Sequence, residues 1–226
     1  MLFAFAAALF AISAAAAPCV ARSGTGVSAL VELYRSQGCP RCPGAEQWLS
    51  ALAPRPNLIA VAITAEEPGS SRESALRQRR LTPLQRLALV SMPQVLLQGR
   101  TFPGWDKPAF DEALAKIAAA PATAWLDLEI VSTDREHLRV RVAAGTASRG
   151  QDDARLYLAA FGREAPGSPL RVQQWQGPLL PLAGAPQERV LAVVPGVSGT
   201  LSGVVAFLQK RREPEVLQAL MLPSCP

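Results

Sequence analysis

Lysine and histidine are nearly absent from this sequence. Lysine stands only at 107, 116 and 210 and histidine only at 137, so the formal charge of +5 rests on arginine. Aromatic residues make up 6% of the chain and do not interleave with the basic ones, so nucleic acid is not an expected partner. His137 opens a strand pattern after the polar stretch STDRE and is expected to be exposed, without a catalytic role. No phosphate-cradling loop, pair of catalytic carboxylates or serine nucleophile stands out. Beyond residue 17 no apolar run has the length of a membrane span. Cysteine is scarce too, at 19, 39, 42 and 225. A structural zinc ion needs four ligands, and Cys19, Cys225 and His137 belong to other segments than Cys39 and Cys42, so no metal or cofactor is expected.

What is present begins with an apolar leader. Residues 1–17, MLFAFAAALFAISAAAA, carry no charge and end in small residues, the pattern of a secretory signal peptide cut among Ala14 to Ala17. Export to the periplasm or beyond follows, with no stable membrane span after cleavage. It places the cysteines where disulfides persist.

From Val27 onward, apolar runs alternate with helical patterns. VSALVELY (27–34), NLIAVAI (57–63) and QVLLQ (94–98) read as strands; GAEQWLSALA (44–53), Arg72 to Val90 with a break at Pro83, and KPAFDEALAKIAA (107–119) read as helices. A Gly99-Arg100 turn and TFPG add a short return strand. The order β-α-β-α-β-β-α over residues 26–120 predicts a parallel core with an antiparallel edge hairpin. The densest positive run, RQRR at 77–80, reads as a solvated helix face, with a docking surface for an acidic partner as its rival.

After the Ala-Pro stretch at 118–124 the period becomes two. Leu126, Leu128 and Ile130 alternate with acids, and Leu138, Val140 and Val142 with arginines, which is a hairpin. Further strands are expected at 155–161, 189–194 and 203–209, so that residues 125–226 read as a small antiparallel β-sandwich.

The chemistry concentrates in SQGCPRCPG, 36–44. Cys39 falls where strand gives way to helix, where free N–H groups and the positive end of the helix dipole favour a thiolate, and Arg41 adds positive charge. Cys42, read as one turn into the helix, is placed to attack Cys39 and resolve a mixed disulfide. Pro40 and Pro43 are tolerated because the first helical positions have no N–H bond to lose. In SMPQ, 91–94, a cis Met92–Pro93 bond would present the backbone of Met92 to an extended substrate and its side chain to the sulfurs.

These features resemble the thioredoxin superfamily. More narrowly, VELYRSQGCPRCPGAEQWLSAL and SMPQVLLQGR resemble a secreted thioredoxin-like family, Domain of Unknown Function 1223, over roughly residues 27–120. The resemblance implies a thioredoxin-like fold with Cys39, Cys42 and Pro93 at the matching positions, and supplies no established activity. The aromatic and acidic segment usual after the second strand is replaced here by TAEEPGSSRES, and the usual tryptophan before the first cysteine by Gly38. Thioredoxins keep a buried carboxylate on the strand leading to the site; Glu32 takes that place, as a desolvated proton relay to Cys42 or, alternatively, as a solvated or salt-bridged edge residue.

The expected activity is thiol–disulfide exchange with protein thiols or disulfides. Cys39 attacks, Cys42 resolves, Pro93 and Met92 shape the groove, and Cys39–Cys42 is the oxidised form. The alternative is a non-enzymatic module for copper(I), held by Cys39, Cys42 and Met92, or for a protein partner; an inert structural disulfide is the plainest reading. Cys19 and Cys225 either pair, remain free or bridge two molecules. Trp48 and Trp105 are expected in core or rim packing.

Overall fold

The computed structural model describes residues 18–52, 55–64, 71–84, 91–147, 153–181, 184–193 and 200–225. The leader expected at 1–17, most of the loop that follows Thr64 and the end of the second expected helix lie outside the described residues.

After a short strand, Val20–Arg22 (β1), the chain follows the expected order: Ala29–Arg35 (β2), Cys42–Ala51 (α1), Leu58–Thr64 (β3), Ser71–Leu84 (α2), Gln94–Leu97 (β4), Arg100–Thr101 (β5) and Pro108–Ala118 (α3). β2 reads as an almost unbroken apolar run because both of its faces are covered. Ala29, Val31 and Leu33 pack with Ala45 and Leu49 of α1 and Phe110 and Leu114 of α3. Leu30 and Tyr34 point the other way, into a cluster with Leu81 of α2. β2 pairs in parallel with β3 and antiparallel with β4, so parallel pairing is confined to part of the expected core. The β4–β5 turn passes through Gln98 and Gly99 at positive φ, and a Cβ at Gly99 would collide with the carbonyl of Pro214.

The remaining strands are Ala124–Thr133 (β6), His137–Thr146 (β7), Ala154–Arg163 (β8), Leu170–Leu179 (β9), Gln187–Ala192 (β10), Thr200–Lys210 (β11) and Val216–Pro223 (β12). β6 and β7 form the expected hairpin, with Glu129 opposite Arg141 and their side chains paired at 2.6 Å. His137 is exposed at the start of β7.

One expectation needs correction. The β-rich segment does not close into a self-contained sandwich. Its strands divide between a four-stranded sheet, β1-β6-β7-β10, and an eight-stranded sheet, β12-β11-β8-β9-β3-β2-β4-β5, which runs without a break into the α/β segment. The chain is thus a mixed α/β protein dominated by two sheets. Alternate residues of β6, β7, β8, β11 and β12 fill the layer between the sheets, with Leu126, Leu138, Val140, Leu156, Val204 and Leu208 fully buried. Continuity arises because β3 has a free edge for β9, pairing in parallel at Val61 with Leu170 and Ala62 with Arg171. An uncovered edge of main-chain donors and acceptors is a template for another strand, and here the same chain supplies it.

Candidate functional site

β2 ends at Arg35, and Gly38, at φ +70°, turns the chain toward the cysteines. The N–H of Cys42 donates to the carbonyl of Cys39 at 3.2 Å, closing a tight turn, and α1 then begins at Cys42 itself. Cys42 is therefore the first helical residue rather than one turn into the helix. Pro43, in the first turn, has no bond to lose, and it also fixes the start, since a helix beginning at Cys39 would need from position 43 the N–H that proline lacks. No side chain caps this helix start and no acid lies in its first turn, so the positive end of its dipole faces the motif without a charge in that turn against it.

Cys39 and Cys42 form a disulfide with Cα atoms 5.5 Å apart. Their exposure differs: Cys39 is partly open, while Cys42 is 1% exposed. Arg41 lies on the solvent side and donates to the carbonyl of Met92 at 3.5 Å, which brings the motif beside the Met92–Pro93 bond, and that bond is cis. Met92, expected to turn its side chain to the sulfurs, packs it against the cluster containing Tyr34 and Leu96 and presents its carbonyl to Arg41. Trp48 lies 4.8 Å from Trp105 and 4.9 Å from Phe110, packing that fixes α1 on α3.

Behind the motif lies an ion cluster that the sequence did not reveal. Glu46 of α1 sits 2.7 Å from Arg35 Nε and 3.1 Å from Arg171 Nη1, and Arg171 Nε lies 3.1 Å from Glu164. The contacts are ionic by distance, without the alignment of hydrogen bonds.

Glu32 occupies the interior of the sheet, fully buried. Its place in β2, out of step with Val31 and Leu33, puts it on the face opposite α1. Both oxygens meet Arg77: Oε1 is 2.5 Å from Nη1 and Oε2 accepts from Nη2 at 2.9 Å. The buried carboxylate was legible; it is salt-bridged, as one of its two expected readings had it, but in the interior rather than at a solvated edge. Burial raises the Glu32 carboxyl above its ordinary value, and the charge and hydrogen bond of Arg77, with a hydrogen bond from Tyr34, oppose that rise. The run containing Arg77 is likewise not a plain solvated face. Arg79 is exposed, but Arg77 is 3% exposed, donates to the Tyr34 hydroxyl at 2.8 Å and lies 4.9 Å over the Phe207 ring, with Tyr157 and Trp175 at 5.6 and 5.8 Å. Burial works against its charge, yet Glu32, Tyr34 and Tyr157 outweigh it and hold the guanidinium protonated.

The second cysteine pair is also closed. Cys19 and Cys225 form a disulfide with Cα atoms 5.8 Å apart, so of the alternatives left open for them pairing is the one found. No described helix is long and apolar enough to cross a membrane.

Comparison with known proteins places the motif in a family. A family model described as protein of unknown function (DUF1223) matches residues 30–169, from β2 through the cysteines and the cis proline to the start of β9. The chain belongs to that family. Two solved structures resemble this DUF1223 chain in fold. Protein AGR_C_4864 from Agrobacterium tumefaciens is 20% identical with a TM-score of 0.55, over 88% of this chain and 96% of that one. HBP35 of Porphyromonas gingivalis is 11% identical with a TM-score of 0.65, over 88% of this chain and 75% of that one. Both likenesses extend over the β-rich segment as well as the α/β segment, as their coverage requires. No curated protein matches this DUF1223 sequence.

Proposed function

We propose that this chain is an exported thiol–disulfide oxidoreductase, its residues 26–120 a thioredoxin-like segment and its clients protein thiols or disulfides in the periplasm or outside the cell. The observation that carries the reading is a disulfide at an uncapped helix start, one sulfur partly open and the other buried, beside a cis Met92–Pro93 bond. In the reducing direction the Cys39 thiolate attacks a client disulfide, forming a mixed disulfide and releasing one client sulfur as thiolate. The Cys42 thiolate then attacks Cys39 and releases the second. The client gains two electrons, the motif loses two, and solution supplies the client's protons while taking those of the motif. The reverse sequence oxidises a client dithiol. Met92 and Pro93 form the wall along which an extended client would lie.

The rival assignment to copper(I) has less support, because Met92 packs its partly buried side chain against the cluster of Tyr34 and Leu96.

A Cys42→Ser variant tests the proposal. It should accumulate mixed disulfides through Cys39 when mixed with a disulfide-bearing protein, and the reduced wild type should show a Cys39 thiol well below the ordinary value of about 8.5. No trapped species, together with an unshifted thiol, would sink it.

A further inference from the structure

The cluster behind the motif joins elements from distant parts of the chain. Arg35 ends β2, Glu46 lies in α1 and Arg171 stands near the start of β9. Glu46 follows Cys42 by one turn, so the two side chains share a helix face with Cβ atoms about 5–6 Å apart. One carboxylate thus serves two guanidinium groups. The second carboxylate, Glu164, meets Arg171 from the more exposed side, its side chain 52% exposed against 17% for Glu46 and 10% for Arg171, so solvent and salt screen it more than Glu46. Arg35 and Arg171 thus offset the carboxylate that stands next to Cys42, and Arg41 adds positive charge from the solvent side. Arg35 is fixed further by its Nη1, which donates to Thr64 Oγ1 at 3.2 Å where β3 ends.

We infer that Arg171, supplied by the β-rich segment, is a positioning residue for the thiol chemistry: with Arg35 it fixes Glu46 on α1 and offsets the carboxylate beside Cys42, so that its negative charge does not oppose the thiolate. This deepens the thiol-exchange reading and rests on it. It also gives the continuous sheet a consequence for the site. The parallel register that sets Ala62 opposite Arg171 is what delivers the second guanidinium to Glu46.

The inference makes a prediction of sign. Arg171→Met leaves Glu46 with Arg35 alone, whereas Glu46→Gln removes the carboxylate beside Cys42 and leaves Arg35 without it and Arg171 facing only the exposed Glu164. With the full chain reduced, the lower thiol titration midpoint, followed by alkylation rate against pH, should rise by about half to one pH unit in Arg171→Met and fall by a similar amount in Glu46→Gln. Arg171→Lys, which keeps the charge, should stay close to wild type. Loss of packing alone would move the first two variants in the same direction or neither, and either result would overturn the inference. Should Arg171→Met fail to fold, Glu46→Gln decides alone, since an unchanged or raised midpoint is enough against it. Exchange of the wild type with oxidised glutathione is measured beside the titrations. Absence of exchange with opposed midpoints rejects the oxidoreductase reading and keeps the electrostatic one, whereas exchange with midpoints that do not separate rejects only the role of Arg171.

Discussion

The two disulfides are the same bond placed to opposite effect. Cys39 and Cys42 are separated by three positions in the sequence, Cys19 and Cys225 by 206. In the chain-entropy account the long closure constrains the unfolded chain by about 5 kcal/mol and the short one by only about 2 kcal/mol. Surroundings sharpen the contrast. Cys19 precedes β1, which pairs with β6, and its carbonyl accepts from Ile130 at 2.9 Å, while Cys225 follows β12. That bond therefore clasps an edge strand of the small sheet to an edge strand of the large one. Cys39–Cys42 clasps nothing that its own tight turn does not already hold. Its setting is electrostatic: a bare helix start, Arg41 in front and two arginines behind. A bond that secures the fold needs separation in sequence, and a bond that is to be broken needs an open sulfur and a stabilised leaving thiolate.

The largest effect should come from exchanging the roles of the two pairs. Cys39→Ser should reduce disulfide exchange by orders of magnitude, measured against a small mixed-disulfide peptide, while Cys225→Ser leaves exchange per folded molecule unchanged. Comparable losses in both variants would erase the distinction. Stability should respond the other way round. Cys225→Ser should lower the unfolding free energy by about 5 kcal/mol and Cys39→Ser by about 2 kcal/mol or less, read from urea transitions of the oxidised proteins.

The clasp ties sheet edges, whereas the α/β and β-rich segments are joined where β3 pairs with β9 and, beside that, by the interior pair. Arg77 reaches from α2 to Glu32 and Tyr34 on β2 and lies over aromatic rings of β8, β9 and β11. Arg77→Met should cost about 3–5 kcal/mol, because it leaves the Glu32 carboxylate buried without its partner. The double variant Arg77→Met with Glu32→Leu should recover most of that loss. If the single variant unfolds no more easily than wild type, the interior pair adds nothing to the join that β3 and β9 make.

The legible part of this molecule is the part with local signals. The order of β2 to α3 could be read because Pro and Gly punctuate apolar runs, and the β6–β7 hairpin because acids on one strand alternate in step with arginines on the other. β9 and β12 were missed for physical reasons. β9 carries Gln173, Gln174 and Gln176, so its pattern looks polar although Gln173 is fully buried. β12, VLQALMLP, is rich in good helix formers, and pairing with β11 overrides that preference. At the site, the cysteines, the cis proline and a buried Glu32 were legible from local pattern and resemblance. The partners of Glu32 and Glu46 were not, since Arg77 and Arg171 are brought in by contacts 45 and about 125 residues away. One local clue existed: Arg77 stands four residues before Leu81, which is 2% exposed, so both share the inward face of α2.

The smallest effect is a pair of opposed pH slopes, best read in Cys225→Ser, where the remaining stability is low enough to follow. Burial raises the Glu32 carboxyl above its ordinary value of 4.5. Between that value and the raised one the native protein keeps a proton that the unfolded chain has released. The contribution is therefore fully present below the ordinary value and lost as pH rises through the native one. Asp134 does the reverse: it accepts from the N–H groups of Glu136 and His137 at 2.8 and 2.7 Å, which holds its carboxyl below the ordinary 3.8. Its contribution is present above the ordinary value and is lost as pH falls through the native one. Urea transitions from roughly pH 3 to 7 should show Glu32→Gln removing a decline on the neutral side and Asp134→Asn removing a rise on the acid side. A Glu32→Gln profile parallel to that of its parent would mean that Arg77 fully cancels the burial of the carboxylate, and the interior join would then be an ion pair with no proton-linked signature.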